Sequence, residues 1–202
     1  MKIKQKTQET QPRTKPAEVR LDELMDAAQK LFIEKGFEAT TISDIVRDAQ
    51  VAKGTFYHYF PSKNEILSAL RIRFTKHFIE QIQQAIDACP PNDWIARLCA
   101  WCDAGVATYL EGMALHDALY HDHHYHTRGN QDRDAVLDQI LTILNQGAAA
   151  GAWQLANPHL TAILMYHGMH GAVDDVMVNP NADRNTLGAA LAQQFMYLLG
   201  CR

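Results

Sequence analysis

Residues 41–63 read TISDIVRDAQVAKGTFYHYFPSK, and this stretch decides the fold. Thr41 with Asp44 three residues on is a capping-box pattern. It stands ahead of Ile42, Ile45, Val46 and Ala49, which recur at helical spacing. Gln50, Val51 and Ala52 make a tight turn. Residues 53–60 form a third short helix, ended by Pro61 and Ser62. Upstream, Leu21, Leu24, Ala28, Leu31 and Phe32 follow a helical period, and Gly36 behind Lys35 marks a C-terminal stop. A supporting helix followed by two short helices joined through three residues is a helix-turn-helix.

Helical geometry assigns the faces of residues 53–60. At about 100° per residue, Phe56 and Phe60 point together toward the core, while Gly54 and His58 point away, flanked by Thr55 and Tyr57. Gly54 lacks a side chain, so its backbone permits close approach of a ligand. A face of Gly, Thr, Tyr and His led by Lys53 holds no acid, which suits phosphates and base edges in a major groove. A plain solvent-facing surface has the same composition, so geometry alone leaves both readings open.

Further along, Ser62 and Glu65 form another capping pattern opening a long helix over 63–88. Helices are expected at 93–111, 114–120, 132–150, 158–178 and 185–199, divided by Pro90-Pro91-Asn92, by residues 151–157 and by Asn179-Pro180-Asn181. No period-2 strand is recognised. The predicted fold class is all-α, with a boundary inside the fourth helix near Leu70. That gives a basic arm at 1–16, a helix-turn-helix domain at 17–70 and a helical domain at 71–202. Composition agrees: of 202 residues 47% are hydrophobic and 21% charged, with 11 Gly and 7 Pro, the balance of a globular rather than a disordered or turn-rich chain.

Charge is uneven. Residues 1–76 carry 14 Lys and Arg against 10 Asp and Glu, a balance of +4, and the remainder is −8. Only the front third is suited to a polyanion. Residues 139–173 contain no Asp, Glu, Lys or Arg, yet Asn145, Gly147, Gly151, Asn157 and Pro158 interrupt them. No run of roughly 20 apolar residues is left to span a bilayer. The first 16 residues lack the apolar segment of a signal peptide. Four cysteines (Cys89, Cys99, Cys102, Cys201) are too few for a disulfide scaffold, so a reduced, cytoplasmic protein is expected.

These residues carry a resemblance. The run from Ala28, Leu31 and Phe32 through Gly36-Phe37, Thr40-Thr41-Ile42, Asp44-Ile45 and Ala49 continues through residues 51–60 to Ser62-Lys63 and Glu65. It resembles the N-terminal domain of the TetR/AcrR family of transcriptional regulators. The resemblance implies a homodimeric repressor, not an enzyme, that binds a palindromic operator in double-stranded DNA and is released by a small-molecule effector. Carried over by position, Lys53, Gly54, Thr55 and His58 face base edges. Thr41, Tyr57 and Lys63 hold phosphates, Thr41 and Lys63 near helix N-termini that attract anions. Ser43 stands where the family places a base contact, though its hydroxyl is short. A two-fold dimer sets the heads about 34–36 Å apart, or a multiple of this.

The acidic remainder supplies softer signals. Leu160, Ile163, Leu164, Gly168, Gly171 and Ala172, with Leu187, Leu191, Phe195 and Leu198, suit a four-helix dimer interface built from the last two helices, or an intrachain core. Trp101, Tyr109, Met113, His116, Tyr120, Met165, Tyr166, Met169 and His170 suit an apolar or aromatic effector, although core packing accounts for the same residue types. Five of ten histidines fall between 116 and 126 (His116, His121, His123, His124, His126), and His167 and His170 lie i, i+3. Imidazole and carboxylate suit transition metals, so the alternative reading is a metal-binding helical protein or metalloenzyme; a solvated loop is the plainer one. Cys99 and Cys102 read as buried small hydrophobes rather than a redox pair. No cofactor or metal is called, and no nucleophile–base or nucleotide-loop motif is present.

Overall fold

A computed structural model describes residues 17–120, 131–179 and 182–201. These are arranged as α1 (Ala17–Lys35), α2 (Ile42–Asp48), α3 (Lys53–Tyr59), α4 (Lys63–Asp87), α5 (Trp94–Tyr120), α6 (Gln131–Ala149), α7 (Pro158–Val178) and α8 (Leu187–Leu198). There is no strand among the described residues, and the all-helical class stands. No described helix is long and apolar enough to cross a membrane. The chain forms two compact units whose division, between Leu67 and Ser68, falls inside α4. The basic arm expected at 1–16 lies outside the described residues.

In the first unit the capping box forms as spelled. The Asp44 N–H donates to Thr41 Oγ1 at 3.1 Å, and Asp44 Oδ2 accepts from the Thr41 N–H at 3.1 Å. The α2–α3 turn closes on Gln50, a non-glycine residue at φ 54°. Around it the Val51 N–H reaches the Val46 carbonyl at 3.0 Å and the Gln50 N–H the Arg47 carbonyl at 3.3 Å. This is the Schellman closure, which hides two terminal carbonyls at the cost of one left-handed residue. Of the apolar positions that helical spacing selects, Leu24, Ala28, Leu31, Phe32, Ile45, Val46, Phe56 and Phe60 are buried, while Leu21, Ile42 and Ala49 are half-buried; Ile66 joins the same core. Thr40, also buried, donates to the Gly36 carbonyl at 2.7 Å. Its hydroxyl closes the end of α1, so burial leaves it satisfied.

The second unit packs α5 through α8 and the later turns of α4 around Ile82, Leu98, Trp101, Ile140, Leu144, Met165, Met169 and Val173. Its element boundaries correct the sequence reading twice. Helices expected at 93–111 and 114–120 are one, α5. Gly112 does not break it, because the glycine lies against the Phe74 ring, where a Cβ would stand 3.0 Å from Cε2. Its function is close approach of α4. The last helix begins at Leu187 rather than 185, since Asp183 accepts the Asn185 N–H at 2.9 Å and the Thr186 hydroxyl at 3.0 Å and holds a turn there. The uncharged stretch 139–173 lines the interior on one side only: Ala162, Met165, Met169 and Val173 are wholly buried, whereas Leu160 and Leu164 are half exposed.

Candidate nucleic-acid interface and effector cluster

Helix α3 presents the expected face. Phe56 and Phe60 are buried, while Lys53, Gly54, Tyr57 and His58 are exposed and Thr55 is half-buried. A Cβ at Gly54 would meet nothing within 4 Å. The Tyr57 ring leans edge-on against Phe56 at 5.6 Å and the His58 imidazole against Tyr59 at 5.0 Å, contacts that fix both rings without engaging their polar atoms. Among the described residues none of the four side chains of Lys53, Thr55, Tyr57 and His58 makes a hydrogen bond or ion pair. Ser43 is exposed in the first turn of α2.

Two expected phosphate ligands are otherwise engaged. The Lys63 ammonium donates to the carbonyls of Phe37 at 2.7 Å and Thr40 at 2.9 Å and lies 4.1 Å from the centre of the Phe37 ring. It closes the α1–α2 loop by charge-assisted hydrogen bonds and a cation–π contact. Thr41 is exposed, but its hydroxyl donates to Asp44 Oδ2 at 2.8 Å within the capping box. The resemblance implies phosphate contacts at both positions, and the folded loop supplies both donors with protein acceptors. Asp44, which sequence reasoning treated only as a cap, also has electrostatic weight. Lys35 at 3.0 Å, together with Thr41 and then Arg47, holds its carboxyl well below the usual range. The acid stays ionised, and two neighbouring cations offset its charge.

Residues 24–70 match the family model of bacterial regulatory proteins of the tetR family. The transcriptional repressor KstR2 of Mycolicibacterium smegmatis is 30% identical over 156 residues, 73% of this chain and 72% of that protein. The chain belongs to the TetR family. The regulator HbdR of Aromatoleum sp. is 44% identical over 112 residues, spanning 50% of this chain and 48% of HbdR. The fold of FadR from Bacillus subtilis, solved with stearoyl-CoA, superposes with a TM-score of 0.72 at 20% identity, covering 90% of this chain and 98% of FadR. As a TetR-family protein the chain is a DNA-binding transcriptional regulator with an N-terminal helix-turn-helix domain and a C-terminal helical domain. The family is one of regulators, not enzymes.

In the helical domain of this TetR-family chain, the nine effector candidates fall into two groups. Trp101, Met165 and Met169 are wholly buried in the core, and Met113 packs against it. Tyr109, His116, Tyr120, Tyr166 and His170 come together as a cluster of rings. Their centroids lie 4.7 Å apart for Tyr109–His116, 4.9 Å for Tyr109–His170, 5.0 Å for His116–Tyr120 and 4.2 Å for Tyr166–His170. Sequence reasoning missed two members on α4. Phe74 is 5.9 Å from His116, and the Thr75 hydroxyl is 3.2 Å from that of Tyr120. Their only sequence signal was a place on a helix face, which does not say what the face meets. Asp174, one turn beyond His170, accepts the Tyr109 hydroxyl at 3.3 Å.

Burial sets the protonation states. It pushes His170 down to about 4, against a hydrogen bond to the Tyr166 carbonyl that acts the other way. It pushes Tyr166 up to about 12, and Tyr109 still further with help from Asp174. Burial raises both the Cys102 and the Cys99 thiol on α5, but only Cys102 lies in the core as expected; Cys99 is half-buried against it. His121, His123, His124 and His126 lie outside the described residues. Among the described residues no three His, Cys, Asp or Glu side chains gather as a metal centre requires.

Proposed function

We propose that the chain is a homodimeric repressor that grips a palindromic operator in double-stranded DNA and is released by an apolar or aromatic small molecule. The observation that carries this reading is the α3 face: exposed, free of acids and with its polar atoms unengaged. Lys53, Gly54, Thr55 and His58 read base edges, Tyr57 meets phosphate, and Ser43 stands at the margin of the groove. Thr41 and Lys63 act in this reading by shaping the α1–α2 loop, not as phosphate ligands. The chain thus acts where bacterial DNA lies, in the cytoplasm.

The second copy docks on α7 and α8. Leu160 and Leu164 are each 50% exposed and Leu198 is 51% exposed, with Gly168 and Gly171 open beside them. Unpaired apolar helix faces of this kind mark an interface. Phe195, by contrast, belongs to the intrachain core, and Ile163, Leu187 and Leu191 lean on it. The effector enters the ring cluster of α5 and α7. That cluster touches Phe74 and Thr75 on α4, the helix whose first turn lies in the DNA-binding unit. In this reading residues 17–70 are the DNA-binding head and residues 71–202 the sensing and dimerisation domain.

Fluorescence anisotropy on DNA from upstream of its own gene tests the reading. Tight binding with a steep salt dependence, abolished by the paired change Tyr57→Ala and His58→Ala, is expected. Affinity no greater than for random DNA at every salt concentration sinks it.

A further inference from the structure

We propose that the ring cluster of α5 and α7 recognises a neutral aromatic molecule bearing a hydroxyl donor, a phenol, and that His170 is the acceptor that selects it. The proposal rests on the effector-binding reading above and names the chemistry of that site.

The His170 ring has one hydrogen-bonded nitrogen and one with no hydrogen-bond partner among the described residues. Its Nδ1 lies 2.9 Å from the Tyr166 carbonyl, a bond that places the ring proton on Nδ1 and leaves Nε2 as a lone-pair acceptor. Among the described residues nothing else hydrogen-bonds this imidazole, and nothing hydrogen-bonds the Tyr166 hydroxyl. These rings are 4.2 Å apart, with Tyr109 4.9 Å from His170. A phenol placed among them donates its O–H to Nε2 and accepts from the Tyr166 hydroxyl, so one ligand oxygen satisfies two unpaired groups. Aromatic neighbours favour a planar ring as the rest of the ligand, through offset and edge contacts.

Charge of either sign is disfavoured there. The surroundings that push His170 down to about 4 disfavour an organic cation, and those that push Tyr166 up to about 12 disfavour an anion. The charged groups around the cluster are already engaged. Asp174 accepts from Tyr109 and Asp132 from Tyr120, each at 3.3 Å. Arg71 on α4 donates to the Leu119 carbonyl at 2.6 and 2.8 Å, and Arg133 on α6 to Asp134 at 2.8 Å. A carboxylate ligand would face Asp174, and Arg133, the cation that acts on Tyr166 against the effect of burial, is already paired with Asp134.

Calorimetry of the full chain with four matched probes at pH 7 tests this: 2-naphthol, 2-methoxynaphthalene, 2-naphthoate and 2-naphthyltrimethylammonium. The naphthol is expected to bind at least tenfold more tightly than each of the others. His170→Asn keeps an amide able to donate to the Tyr166 carbonyl but has no atom at the Nε2 position, and it is expected to lose about tenfold for naphthol only. His170→Gln, with a polar atom at that position, retains most of the affinity. Tyr166→Phe, which leaves the ring in place, weakens naphthol several-fold. Thermal melts report whether each variant is folded. The proposal falls if the methyl ether matches the naphthol, if either charged probe binds more tightly, if no probe binds, or if His170→Asn and Tyr166→Phe both leave the naphthol affinity unchanged. Anisotropy on DNA is read separately on the same samples. Loss of DNA binding there sinks the regulator reading while the calorimetric result still decides the phenol site.

Discussion

The Lys63 ammonium donates to three carbonyls of the α1–α2 loop, whereas Lys53, on the exposed face of α3, has no partner among the described residues. Two lysines ten residues apart therefore respond differently to truncation. Lys63→Ala is expected to lower unfolding stability by about 1–2 kcal/mol, the worth of charge-assisted bonds at a half-buried position. Its salt dependence of DNA binding should match that of the wild type. Lys53→Ala is expected to leave stability within about 0.5 kcal/mol and to cost roughly 1–3 kcal/mol of DNA affinity, concentrated at one operator position. Urea denaturation and anisotropy on operator variants check the pair. The result that contradicts the assignment is a flattened salt slope for Lys63→Ala with unchanged stability.

At the scale of elements, the end of α6 combines backbone closure with side-chain packing. Gly151, at φ 78°, turns the chain, and the Ala152 N–H reaches back to the Gly147 carbonyl at 2.9 Å. Trp153 then folds onto the helix it has just left, donating its indole N–H to the Leu144 carbonyl at 2.8 Å. The indole lies so close over Gly147 that a Cβ there would overlap the ring. Gly147→Ala must displace a buried tryptophan and break that bond. We expect it to cost about 1–3 kcal/mol, the range for overpacking, with a change in tryptophan emission. A melting temperature equal to wild type would show that the loop yields freely. The same element-scale logic explains α5: Gly112 reads as a helix end when sequence neighbours alone are considered, and as a close-packing residue once Phe74 is seen against it.

At the scale of the whole molecule, the proposed dimerisation through α7 and α8 would make operator binding cooperative, because two linked heads bind with an effective local concentration that single heads lack. Replacing both Leu160 and Leu164 by Glu places charge on the exposed apolar face of α7 without touching the core. Sedimentation is expected to show a monomer with native helical content, and palindrome affinity should drop by more than tenfold. A stable dimer carrying both changes would move the interface elsewhere.

Local chemistry made the DNA-binding unit legible in the sequence. A capping box, a turn and an apolar period act over three to eight residues, so Thr41, Asp44, Ile45, Phe56 and Phe60 announced their positions before any packing was known. In the helical domain Met165 and Met169 were offered by their residue type as effector or core side chains, and only packing shows them wholly buried. What periodicity could not give was the partner of each face. Tyr109 and His170 are 61 residues apart in sequence, and only the packing of α5 on α7 brings their rings to 4.9 Å. Lys63 and the Phe37 carbonyl, 26 residues apart, are joined only by the fold of the loop. Sequence by itself determined which segments are helical and which side of each is apolar, because those preferences act between near neighbours. Tertiary structure alone decided which polar atoms are engaged and which remain open, because hydrogen bonds and desolvation depend on distance in space.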